Sequence, residues 1–202
     1  MIAIIDYGAG NLQSVKKALD FLGYESVITD DEKIIEGASH IILPGVGSFG
    51  DAMDSIRKRG LEEVIKNAAS GDKKFLGICL GLQLLFEESE ESPGVKGLGV
   101  FKGSIVKIPE NLGLKVPHMG WNSVDIKQNS GIFKDIENDS YFYFVQSFYL
   151  KNADSEIVAG CAEYGAEIQC AVQKGRVAAT QFHPEKSGEI GLKLLKNFAE
   201  EE

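Results

Sequence analysis

Lys74-Phe75-Leu76-Gly77-Ile78-Cys79-Leu80-Gly81-Leu82-Gln83 decides how this chain folds. Phe75, Leu76 and Ile78 form a short apolar run, as in a strand buried within a parallel sheet. The run ends on Cys79, with Gly77 and Gly81 two residues to either side. A strand that reverses sharply into a helix has no room for bulky flanking side chains. Glycine on both flanks therefore predicts an elbow with a thiol at its tip. A thiol at a helix N-terminus meets the positive end of the dipole, which favours thiolate. The N–H of Leu80 is a first-turn donor without an intrahelical acceptor, free to meet an oxyanion. The same pattern fits a buried structural cysteine, the commoner fate of a lone Cys. The rest of the chain has to choose between the two.

Upstream, Ile2 to Ile5 is an apolar run that ends in Asp6-Tyr7-Gly8-Ala9-Gly10-Asn11. Leu12, Val15, Leu19 and Leu22 then recur at helical spacing. Gly8 and Gly10 invite a dinucleotide-binding reading, but the third fingerprint position holds Gln13, and a tight strand-to-helix turn explains both glycines. Glu25–Thr29 and His40–Leu43 read as further strands. The segment Pro44-Gly45-Val46-Gly47-Ser48-Phe49-Gly50 follows the second of them, a glycine-rich loop whose backbone can approach a ligand closely. A helical stretch spans about Asp51 to Ala69, with a break at Gly60. Strands alternating with helices predict a parallel α/β sheet flanked by helices.

Downstream, Glu87-Glu88-Ser89-Glu90-Glu91 reads as a solvated helix end. Gly103–Ile108, Asn122–Ile126, Tyr141–Val145, Glu156–Ala162 and Ile168–Gln173 are short strand-like runs, an antiparallel extension of the parallel sheet. Val177–Phe182 returns as an apolar strand ending on His183-Pro184-Glu185, and Ile190, Leu194, Leu195 and Phe198 mark a closing amphipathic helix. His183 sits where open α/β sheets place their ligands. With a carboxylate two residues on, it predicts a triad: Cys79 as nucleophile, His183 as general base then acid, and Glu185 orienting the imidazole.

The 202 residues suit one domain spanning 1–202, and 44% apolar residues supply a core. A net charge of −9 argues against nucleic acid or an anionic membrane as main partner. No apolar run approaches the ~20 residues needed to span a bilayer. Three cysteines without CxxC pairing, and an N-terminus without a basic leader, point to a reducing cytoplasm. No HExxH and no Cys/His pair at ligand spacing is present, so neither a metal nor a cofactor is expected.

Gly77-Ile78-Cys79-Leu80-Gly81 together with His183-Pro184-Glu185 resembles the class I, triad-type glutamine amidotransferases. Further blocks narrow the likeness: Asp6 to Leu12, Pro44 to Gly47, Glu87 to Glu91 leading into Pro93-Gly94, Pro117-His118-Met119-Gly120-Trp121-Asn122, and Tyr143-Phe144-Val145. In this order, over nearly the whole chain, they are similar to the glutaminase subunits of imidazole glycerol phosphate synthases. The resemblance implies hydrolysis of glutamine to glutamate and ammonia. A cyclase partner, a (β/α)8 barrel, would use the ammonia to make imidazole glycerol phosphate and AICAR in histidine biosynthesis. It also implies an oxyanion hole from the N–H groups of Leu80 and, after a local rearrangement, Val46. Substrate contacts would come from Gly47, Gln83, Glu91, Ser147 and Phe148, and partner contacts from His118, Trp121, Asn122, Tyr143 and Lys186. The chain departs from the family where a histidine usually follows Phe-Val: here Val145 is followed by Gln146, and Phe148 replaces a common tyrosine. Gln146 hydrogen-bonds in both senses but does not titrate near neutrality.

Three other readings compete. A paralogous subunit could supply ammonia to a different synthase, such as one amidating a surface sugar. A non-catalytic regulatory subunit could keep the fold, but all three triad residues are present. A stand-alone cysteine hydrolase has no need of the block from Pro117 to Asn122.

Overall fold

The computed structural model describes residues 1–8, 10–109 and 113–200; Ala9, in the first glycine turn, lies outside them. The chain runs β1 (Ile2–Ile5), α1 (Leu12–Phe21), β2 (Ser26–Thr29), α2 (Glu32–Gly37), β3 (His40–Gly45), α3 (Phe49–Lys58), α4 (Glu62–Ser70), β4 (Lys74–Cys79) and α5 (Leu80–Leu84). It continues with β5 (Glu88–Ser89), β6 (Ser104–Lys107), β7 (His118–Ile126), β8 (Ser140–Gln146), β9 (Phe148–Lys151), β10 (Val158–Glu163), β11 (Glu167–Lys174), β12 (Val177–Thr180) and α6 (Gly188–Glu200).

One sheet carries the fold, in the order β2-β1-β3-β4-β12-β11-β10-β7-β8. Strands β2, β1, β3, β4 and β12 are mutually parallel, and from β11 onward the pairing turns antiparallel. Strands β5, β6 and β9 form a side branch that joins at β11. This is the α/β, mostly parallel sheet with an antiparallel extension that the alternating sequence pattern implies. Val15 and Leu19 of α1 and Leu194, Leu195 and Phe198 of α6 pack with Ile4, Ile42 and Leu76 on one face. Helices α2, α3 and α4 cover the other face through Ile35, Met53, Ile56 and Ile65. Gly60, at φ +72°, separates α3 from α4, as the sequence suggests.

Two differences from the sequence reading have physical causes. The acidic run is not a helix end: Glu88 and Ser89 form β5, and although Glu87, Glu88 and Glu90 are exposed, as the sequence reading expects, its carboxylates also serve as backbone acceptors. Glu91 Oε2 accepts the Phe49 N–H at 2.7 Å, and Glu90 Oε2 accepts the Lys107 N–H at 2.8 Å. Those bonds satisfy donors at a helix start and a strand end that the chain would otherwise leave unpaired. The helix after Cys79 has only five residues, so its dipole is that of little more than one turn.

The register brings the site together. Gly45 lies opposite Cys79 across β3 and β4, and Ile78 lies opposite Thr180 across β4 and β12. The C-terminal ends of three neighbouring parallel strands thus present the glycine loop, the cysteine and the His183 turn side by side.

Candidate active site

Cys79 sits at φ +56°, ψ −108°, a strained conformation for a residue with a side chain. Close packing forces it. A Cβ on Gly81 would collide with the Leu43 carbonyl, and one on Gly77 would come within 2.9 Å of the Gly81 carbonyl oxygen. The flanking glycines are there because backbone meets backbone at the reversal.

His183 is 2% exposed and follows β12. Its Nδ1 lies 2.8 Å from Glu185 Oε1, with both side chains buried. Its Nε2 has no aligned hydrogen bond among the described residues. Burial opposes charge on this imidazole, but interaction with the Cys79 thiol and the Glu185 carboxylate outweighs it and raises the pKa to about 9. His183 therefore carries its proton at neutral pH.

The turn that holds His183 is bolted to β8. The His183 N–H donates to the Tyr143 carbonyl at 2.9 Å. The Tyr143 N–H donates to Ser187 Oγ at 3.0 Å, and that hydroxyl donates to the His183 carbonyl at 2.6 Å. Phe182 stacks on Phe142 with ring centroids 4.1 Å apart, fixing the same junction from below.

Cys79 and His183 line a cavity of about 320 Å³. Leu80 and Val46, the two expected oxyanion donors, border it too, and so do Gly47, Gln83, Glu91, Ser147 and Phe148. Val46 is 40% exposed at the cavity's rim, and Gly47 has φ +98°. The residues named from sequence as partner contacts behave differently. Trp121 and Lys186 are exposed, and Tyr143 and Asn122 are half-buried. Trp121 and Tyr143 share one face of the β7–β8 pair with Met119 and Tyr141, which are 63% and 60% exposed, whereas Asn122 points to the other face, toward His118, and donates to the Glu163 carbonyl at 2.9 Å. Trp121 lies opposite Tyr143 in the ladder, and Lys186 Nζ stands 6.0 Å from the Tyr143 ring centroid. His118, by contrast, is 3% exposed and has almost no surface to offer a partner. Its ring is sandwiched by Tyr164 and Phe144, at centroid distances of 3.9 and 4.9 Å, so it supports that face from beneath.

Sequence reasoning missed Gln181. It is fully buried, and its Nε2 donates to Cys79 Sγ at 3.7 Å. Gln83 Nε2 donates to Gln181 Oε1 at 3.1 Å and to the Phe148 carbonyl at 3.2 Å, which fixes which end of the Gln181 amide meets the sulfur. The available signal was a carboxamide at the end of an otherwise apolar strand, two residues before His183.

Comparison with known proteins agrees with this architecture. The family model for class-I glutamine amidotransferases matches residues 3–201. The chain is 50% identical over 200 residues to the imidazole glycerol phosphate synthase subunit HisH of Caldanaerobacter subterraneus subsp. tengcongensis, covering 99% of this chain and 98% of that one. It is 50% identical over 201 residues to the subunit of the same name from Methanocaldococcus jannaschii, covering 99% of each. Among solved structures, a glutamine amidotransferase superposes with a TM-score of 0.76 at 20% identity, over 98% of this chain and 100% of the other. The PurLQS structure from Thermotoga maritima gives 0.76 at 21% identity, over 98% and 96%. At those identities the structural likeness speaks for the fold.

Proposed function

The chain belongs to the class-I glutamine amidotransferase family, and on that premise we propose that it is the glutaminase subunit of an imidazole glycerol phosphate synthase. It acts as a single domain over residues 1–202, in the cytoplasm, and delivers ammonia to a (β/α)8-barrel cyclase in histidine biosynthesis. Among the described residues no helix is long and apolar enough to cross a membrane. The observation that carries the reading is one cavity lined by Cys79 and by a protonated His183 whose other nitrogen is held by Glu185.

The chemistry follows from the groups present. Cys79 Sγ, as an anion with the proton on His183, attacks the carbonyl carbon of the substrate's side-chain amide. The oxygen takes the negative charge and is met by the N–H groups of Leu80 and, once the loop turns, Val46; one such donor is typically worth ~3 kcal/mol. His183 gives its proton to the nitrogen as the C–N bond breaks, leaving ammonia and a thioester. Neutral His183 then takes a proton from water, whose oxygen attacks the thioester. The C–S bond breaks, glutamate forms, and the sulfur leaves as the anion beside the reprotonated His183 that began the cycle. Glu185 keeps the imidazole oriented and balances its charge. Gly47, Gln83, Glu91, Ser147 and Phe148 recognise the substrate's α-amino and α-carboxylate groups. The hairpin face bearing Trp121 and Tyr143, with Lys186 beside it and supported from its inner side by His118 and Asn122, meets the cyclase.

Glutamate release, measured with and without a histidine-pathway cyclase and its nucleotide ligand, tests the proposal. The pair should raise turnover strongly, because the loop at Val46 has to be set by the partner. Cys79→Ala should abolish glutamine use while the complex still consumes free ammonia. No stimulation by that cyclase would send the search for a partner to another synthase, and a Cys79→Ala protein that still releases glutamate would sink the mechanism.

A further inference from the structure

Gln181 lies one residue beyond β12, and its side chain is fully buried beside the nucleophile. Its backbone is fixed there, because the Gln181 N–H donates to the Cys170 carbonyl of β11 at 2.8 Å. The side-chain amide is held at both ends. Oε1 accepts from Gln83 Nε2 at 3.1 Å, and Nε2 donates to Cys79 Sγ at 3.7 Å. The direction of these bonds is set at Phe148. A carbonyl only accepts, so the end of Gln83 that meets the Phe148 carbonyl at 3.2 Å is its NH2 group, and the same NH2 faces Gln181. Gln181 must therefore turn its oxygen toward Gln83, which leaves its N–H bonds for the sulfur. Gln83 borders the cavity and Gln181 does not, so Gln181 reaches the sulfur from within the protein.

A neutral thiol is a weak acceptor, whereas a sulfur anion accepts a charge-assisted bond. We propose that Gln181 holds Cys79 in its anionic form, donating to the sulfur before it attacks and again as it leaves the thioester, and that Gln83 sets the amide for this task. This rests on the glutaminase reading of the cavity. While the sulfur is acylated it carries no charge, so the bond favours the two states on either side of the thioester. Gln181 exchanges no proton, and the proton of the sulfur stays with His183. An uncharged donor suits this place, because a cationic one would oppose the charge on His183. The titratable groups that act on the sulfur are His183, with Glu185 at its other nitrogen, and Tyr7, whose hydroxyl is pushed up by burial and stays neutral. Glu91 borders the same cavity.

The rate at which iodoacetamide alkylates Cys79 reads the anion directly and needs no glutamine. Peptide mass after labelling separates Cys79 from Cys161 and Cys170, whose thiols burial pushes up. Gln181→Met has similar length but no donor. An N–H donor favours the anion, so without it the acid limb of the rate–pH profile should move up by about one pH unit. Gln83→Met leaves Gln181 in place but frees its amide to turn. It should move the limb in the same direction by a smaller amount, and it carries the test if Gln181→Met does not fold. Glutamate release by Gln181→Met in complex with the cyclase should fall about tenfold on the acid limb and little on the plateau. An unmoved acid limb in a variant that melts like the wild type would overturn the proposal. So would a loss by the same factor at every pH, which packing alone would produce. A wild-type complex that is alkylated at Cys79 yet releases no glutamate would instead remove the glutaminase reading itself.

Discussion

His118 and His183 are almost equally buried, at 3% and 2% exposure, yet their pKa values are driven apart, to about 4 and about 9. Burial penalises charge at both. The difference lies in what stands beside each ring. His118 has aromatic faces above and below and neutral amides, Gln146 and Asn122, at its edges. His183 has the Glu185 carboxylate at one nitrogen and interacts with the Cys79 thiol. A buried histidine carries charge only where an anion or incipient anion is built in beside it. One is a neutral support for a hairpin, and the other is a proton store at neutral pH.

The sharpest way to break this contrast is to replace each ring in turn. His183→Gln keeps a hydrogen-bonding side chain but holds no exchangeable proton for the leaving nitrogen; glutamate release should fall by roughly 10³-fold. His118→Phe keeps a flat ring between Tyr164 and Phe144 and should leave the rate within about threefold of wild type if the amide of Gln146 stays in place. Comparable losses from both substitutions, in proteins that stay folded, would mean that His118 takes part in the chemistry and that the division of roles is wrong.

These two histidines also show how far the sequence could be read. The Cys79 elbow was legible because glycine at both flanks has a steric cause, and the structure shows the backbone contacts behind it. His183 and Glu185 were legible because a strand end is where a parallel sheet gathers its ligands. The role of His118 was not, since its burial depends on Tyr164, which lies far along the chain and has no local signal. Gln181 was hidden for the same reason: its contact with Cys79 arises from the pairing of β12 with β4, separated by about a hundred residues. In the acidic run the solvation was legible, since Glu87, Glu88 and Glu90 are exposed, but the strand and the bonds that Glu90 and Glu91 accept from distant backbone donors were not.

A smaller effect sharpens the contrast through stability. His118 binds its proton less readily when folded than its ordinary value of 6.5 allows. Between about pH 6.5 and 4 the unfolded chain therefore binds more protons there, so the folded state loses stability as the pH falls through that window. From about pH 7 to about pH 4.5 the loss from this one group is about 2 kcal/mol. Denaturant unfolding at the two pH values should show wild type losing that much more than His118→Phe. Parallel losses would mean that the ring is not held neutral by its surroundings.

The smallest effect concerns how firmly the charged member of the pair is held. Ser187 Oγ links the Tyr143 N–H to the His183 carbonyl, and its side chain is buried. Ser187→Ala leaves that N–H without its acceptor and frees one side of the His183 turn, at a cost of about 1 to 2 kcal/mol in unfolding free energy. The imidazole keeps its bond to Glu185, so it stays charged, but its distance to the sulfur is less tightly fixed. Glutamine turnover should therefore fall a few-fold with KM nearly unchanged, because a looser base weakens the transition state more than the bound substrate. If Ser187→Ala lowered stability by this amount and left kcat untouched, the one backbone bond from His183 to Tyr143 and Glu185's grip would suffice to place His183, and the hydroxyl would serve the fold alone.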